Sequence, residues 1–161
     1  MLSMPFNEDH PSVRGFVAML EAFRATGGTA PAEVLGRMLD DLQGSSANNL
    51  AELLQSGQVF GFEWRASLWI PMFQLELESL ELKHGPQQVR AELPPQWDSW
   101  TLAGWFAREH ALLDGQRPAD MLDTSPAAVM LAAQSEFFNA DRAPMLMPVL
   151  HHATNATHAR I

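Results

Sequence analysis

Three of the five Trp in this chain fall within nine residues, at Trp97, Trp100 and Trp105, and the run that holds them closes on Asp114-Gly115 and Pro118. If this stretch is helical, Trp97, Trp100 and Gly104 follow a three-then-four step, while Leu102, Trp105 or Phe106 and Glu109 follow another. Large rings then appear on more than one face of a helix only about three turns long. Such a helix cannot hide its own aromatic surface, and two readings stay open: a helical hairpin that builds a core, or a docking surface anchored by Trp. Asp98 or Ser99 suits its cap, because a short side-chain oxygen takes one of the orphan N–H groups at a helix start. Asp114-Gly115 supplies turn chemistry, Pro118 suits the first turn of a short following helix, and Asp120 lies near that helix's positive end.

Upstream, Val13, Phe16, Val17, Leu20 and Phe23 recur at helical spacing from Pro11 until Gly27-Gly28. A second helix is expected to open at Thr29-Ala30-Pro31, with Val34, Leu35, Met38, Leu39 and Leu42 as its apolar stripe. A third, from Asn48 to Gln55, follows the Ser45-Ser46 break. The period then becomes extended: Gln58 to Trp64 and Leu68 to Ile70 read as two strands around an Arg65-Ala66-Ser67 loop, and Pro71 ends their pairing for want of an N–H. The stretch around Glu76, Glu78 and Glu81 fits either an edge segment or a loop. Gly85-Pro86 begins a helix through Val89 and Leu93, and Ser125-Pro126 begins an Ala-rich one. The expected fold is mainly α: an N-terminal helical bundle with a β-hairpin over 1–70, a small helical domain over 71–142, and an extended C-terminal tail over 143–161. At 161 residues this is one domain, or two small units sharing a core.

With no Cys, the chain has no disulfide, thiolate nucleophile or Cys-based zinc site, which leaves His and carboxylates for metal or acid–base chemistry. His151, His152 and His158 lie in the tail without a carboxylate among them, and no phosphate-binding loop, GxSxG or HExxH motif occurs. Arg108, Glu109 and His110 are expected on the Trp-bearing helix, where consecutive residues diverge and assemble no acid–base pair. An enzyme is therefore not expected, nor is a cofactor or metal. No apolar run is long enough to span a membrane and no signal-peptide pattern opens the chain, so a cytoplasmic location is the expectation.

A net charge of -9, with Lys83 the single Lys, disfavours a broad grip on nucleic acid. The segment Arg37–Gln55 nonetheless has the form of two helices about a short turn, so Arg37, Asn48 and Asn49 are the candidate DNA contacts of a helix-turn-helix. Asn can pair with adenine, whereas Glu52 on the same helix opposes a phosphate.

The order IPMFQ at 70–74, GPQQV at 85–89, WDSWTLAGWF at 97–106, LLDGQRPADML at 112–122 and SPAAVMLAA at 125–133 resembles the toxin-binding domain of the Xre/MbcA/ParS class of antitoxins. The resemblance covers roughly 68–138, and its most specific part is Leu113-x-Gly115-x-x-Pro118-x-x-Met121-Leu122. It implies a small helical protein that neutralises a cognate toxin, commonly a RES-type toxin that consumes NAD, and that assembles as a homodimer or larger. Members of the class often repress their own operon through an N-terminal helix-turn-helix. The alternative is a winged helix-turn-helix regulator without a toxin partner. The expected partner-facing residues are the polar ones about the turn, Arg108, Asp114, Gly115, Gln116 and Arg117, together with Met145 and Met147 in the apolar patch of the tail.

Overall fold

Ser12 rather than Pro11 sets the start of the first helix, because its Oγ accepts the N–H of Gly15 at 3.0 Å. The computed structural model describes residues 11–44 and 49–142. Over these residues the chain is mostly helical, with one small three-stranded antiparallel sheet. Helix α1 (Val13–Phe23) runs into a 3-10 turn and stops at Gly27, whose φ of 105° is open to glycine and strained for other residues.

Thr29–Pro31 does not open the second helix. It forms strand β1, and α2 (Ala32–Gln43) begins only after it. Proline at this place reads locally as a helix start, but the extended backbone has a distant partner in the sheet. The expected stripe of α2 divides: Leu35 and Leu39 are buried, while Val34, Met38 and Leu42 are exposed. Helix α3 spans Leu50–Gln55. Strands β2 (Phe62–Trp64) and β3 (Ser67–Pro71) form the anticipated hairpin, its loop narrowed to Arg65-Ala66 with φ of 47° and 64°. Left-handed backbone at both loop residues gives a twist that suits the flanking strands. The sheet order is β1-β3-β2, with Ala30 opposite Ile70 and Phe62 opposite Trp69.

Two residues further along the β2–β3 register, Phe60 would stand opposite Pro71. Pro71 has no N–H, so a backbone rung cannot form there. The side chain of Gln74, which follows Pro71 in a 3-10 turn over Met72–Gln74, takes its place. Its Oε1 accepts the N–H of Phe60 at 2.9 Å, and its Nε2 donates to the carbonyls of Phe60 at 2.8 Å and Pro71 at 3.0 Å. Gln74 is 3% exposed and is the one buried polar side chain among the described residues. The segment beyond it is a loop closed by a bridge between Leu75 and Leu82.

Helix α4 (His84–Glu92) is followed by α5 (Ser99–Ala107), which Asp98 caps by accepting the N–H of Thr101 at 2.7 Å. Pro118 stands at the first turn of α6 (Pro118–Met121), and α7 (Pro126–Arg142) completes the described chain. The fully buried Phe106 of α5 stacks near Phe60 at 5.6 Å and Phe73 at 4.9 Å between ring centroids. Phe23, Phe62, Val89, Leu122 and Val129 join the same buried cluster, so residues from both sides of position 70 build it. Each such side chain contributes about 1.5–3 kcal/mol by leaving water. A second cluster gathers Leu35, Leu39, Leu53, Val59, Ile70 and Leu75 under α2 and α3. Of the three closely spaced Trp, Trp105 is buried, whereas Trp97 and Trp100 are half-buried at the edge of the larger cluster.

Candidate functional site

Helix α5 stops at Ala107, and Arg108, Glu109 and His110 lie beyond it rather than on it. Arg108 is extended, with φ -98° and ψ 149°. The chain then folds into a tight turn that returns to α6 at Pro118. The N–H of His110 donates to the carbonyl of Gln116 at 3.0 Å, and the His110 carbonyl accepts the N–H of Leu113 and of Gly115, each at 3.0 Å. Asp114 and Gly115 carry φ of 55° and 78°, the left-handed pair that reverses the chain. Asp tolerates this region better than most residues because it is short and polar, and Gly enters it freely.

The His110 ring locks the turn from inside. Its Nδ1 accepts the N–H of Leu112 at 3.1 Å, and its Nε2 lies 2.9 Å from Oε1 of Glu136 on α7. With Nδ1 acting as acceptor, the neutral ring carries its proton on Nε2 and donates it to the Glu136 carboxylate. The ring also meets Trp105 edge-on, with centroids 5.8 Å apart. Both His110 and Glu136 are largely shielded, so this contact is worth more than an exposed ion pair.

What the turn presents is then clear. Arg108, Asp114, Gly115 and Gln116 are exposed around it, and Arg117 is half-exposed, with Nη1 3.8 Å from the Asp120 carboxylate at the start of α6. The structure therefore brings the five expected turn residues together on one connection. Met145 and Met147 lie outside the described residues. Among the candidate DNA contacts, Arg37 is exposed on α2 and its Nε donates to the carbonyl of Glu33 at 3.4 Å. The Oδ1 of Asn49 accepts the N–H of Ala51 at 2.9 Å as the cap of α3, which occupies the atom a base would need. Asn48 lies outside the described residues.

Leu112 is a residue that the sequence reading passed over. It is 60% exposed at the head of the turn, shortly before the exposed Asp114, Gly115 and Gln116. A His two residues before a Leu-Leu pair was the local signal available for the ring-to-amide contact, since a side chain can accept an N–H two positions on. The contribution of Glu136, 26 residues further along, had no local signal. No group of three or more His, Asp and Glu among the described residues is placed to hold a metal ion, and no described helix is long and apolar enough to cross a membrane. In comparison with known proteins, no family model, curated protein or solved structure matches the chain.

The lock makes an expected outcome specific. His110→Ala should speed amide exchange at Leu112 about tenfold, the equivalent of ~1.4 kcal/mol for one lost hydrogen bond. Glu136→Gln, whose side-chain oxygen still accepts from Nε2, should leave that exchange near the wild-type rate. Residue-resolved hydrogen exchange by NMR checks both; equal protection of Leu112 in wild type and His110→Ala would remove the ring from this role.

Proposed function

We propose that this chain is an antitoxin-like protein that binds and neutralises a cognate toxin, RES-type by resemblance, using the turn over 108–117 as a contact surface. The observation that carries this reading is the stiff turn, pinned through His110 to Glu136, with exposed Leu112 at its head. The residues behind the resemblance divide by role. Pro71, Phe73, Gln74, Trp105, Phe106, Pro118 and Leu122 are buried and make a framework, while Arg108, Asp114 and Gln116 stay on the surface. A loop ordered before binding loses little entropy when a partner arrives, and a large exposed apolar side chain on such a loop suits the centre of a contact. Homodimer formation is part of the same reading.

The test is co-expression with the product of the adjacent reading frame, followed by a sizing column at micromolar concentration. A stable joint peak is expected. Leu112→Asp should weaken the complex about a hundredfold, within the range of a central contact residue, while its melting curve matches that of wild type. Separate elution of the wild-type pair would remove the toxin reading, and wild-type affinity in Leu112→Asp would remove the turn.

A second reading, a winged helix-turn-helix that binds DNA, is favoured by one observation. The order α1-β1-α2-α3-β2-β3, with β3 in the middle of the sheet, is that of a winged helix module. Glu52 on α3 weighs against phosphate contact there, whereas Arg65 at the hairpin tip is exposed and cationic. A mobility shift on the chain's own promoter that weakens steeply with salt is the expected result; no shift at low salt would eliminate this role.

A further inference from the structure

The ring of His110 is hydrogen-bonded at both nitrogens, and the two bonds respond in opposite ways to a proton. Nε2 donates to Oε1 of Glu136 at 2.9 Å, a contact that a cationic ring strengthens because the carboxylate then faces a full charge. Nδ1 accepts the N–H of Leu112 at 3.1 Å, which it does only while its lone pair is free. A proton added at Nδ1 turns that acceptor into a donor and sets two N–H groups against each other. The ring is thus tied to α7 in both charge states and to the head of the turn in one.

The surroundings leave this response to the ring. Helix α5, which brings Trp105 edge-on to it, carries no titratable residue, and Glu136 is the one titratable residue of α7 over 126–139. On the ring's own connection Arg108, Glu109 and Asp114 are exposed, and Arg117 pairs with Asp120 of α6 at 3.8 Å. The backbone frame of the turn does not use Nδ1 either. The His110 carbonyl holds the N–H of Leu113 and of Gly115, each at 3.0 Å, and the His110 N–H holds the Gln116 carbonyl at 3.0 Å. Leu112 is therefore the residue that a charged ring lets go.

We propose that protonation of His110 at Nδ1 is a switch that releases Leu112 while the ring stays on Glu136, so the head of the turn is ordered at neutral pH and loosened in mild acid. Imidazole is the side chain that changes charge between about pH 5 and 8. The contact with Leu112 lies at the surface, where water delivers the proton. The switch acts on the surface assigned above to partner binding, but it does not rest on the toxin reading.

NMR on the full chain tests it by following the His110 ring nitrogens and the backbone amides from about pH 7.5 to about pH 5. Exchange at each pH is expressed relative to an unstructured amide. Protection of Leu112 should fall about tenfold, the effect of one lost hydrogen bond, along the titration of Nδ1, while Leu113 and Gly115 change by less than about twofold. His110→Asn keeps a side-chain oxygen able to accept the N–H two residues on, but it takes up no proton, so protection of Leu112 in this variant should not change with pH. Constant protection of Leu112 as the ring titrates, an equal fall at Leu113 and Gly115, or a ring still neutral at about pH 5 would each overturn the proposal. A fall in His110→Asn equal to that in wild type would overturn it too, by assigning the effect to another group. If the variant fails to fold, the wild-type titration decides. No toxin enters the measurement, so its failure leaves the turn-based reading standing, and failure of the toxin complex leaves the switch standing.

Discussion

The amide of Gln74 completes a ladder that Pro71 cannot continue, and much of the structure depends on that substitution. A carboxamide offers a donor and an acceptor side by side, which is what an antiparallel strand would show to Phe60. Because Gln74 follows Pro71 by three residues, the 3-10 turn between them brings the amide back against Phe60. This contact fixes Phe60 and Phe73 in place, and both rings then meet Phe106 of α5. Hydrogen bonding that closes the hairpin thus also aligns the surface on which the aromatic helix packs.

From there the order passes outward. Phe106 and Trp105 hold α5 at its C-terminal end, and the edge-on contact between Trp105 and His110 carries that order into the turn. Glu136 closes the connection to α7. The residue types that stand out in the sequence therefore serve mainly to stiffen a support. What stays exposed at the turn is a smaller set: Leu112 with Arg108, Asp114, Gly115 and Gln116. Buried anchoring and exposed display fall on different residues, so each can be altered with limited effect on the other.

Much of the helix content was legible because its signals are local. Asp98 caps α5, Pro118 opens α6, and the Gly/Pro breaks fall where a chain must turn. The hairpin was legible from its change of period. Strand β1 was not, since Pro31 before a helical stripe has the local form of a helix start and only pairing with Trp69 on β3, 38 residues away, makes it a strand. The stop of α5 at Ala107 likewise has no Gly or Pro to announce it; His110 pairing with Gln116 draws the chain out of the helix. The polar residues of the turn were expected to face a partner through the resemblance, whereas nothing near Leu112 signalled its exposure.

The most direct measurement is the urea unfolding of Gln74→Leu against wild type. Leucine fills similar space but leaves the N–H and carbonyl of Phe60 and the carbonyl of Pro71 without their partner in the interior. The account predicts a loss of about 2–5 kcal/mol, from two or three buried backbone groups left unpaired, seen as a lower midpoint at an unchanged slope. A stability within about 0.5 kcal/mol of wild type, the range of an ordinary surface substitution, would contradict the claim that this amide holds the fold together.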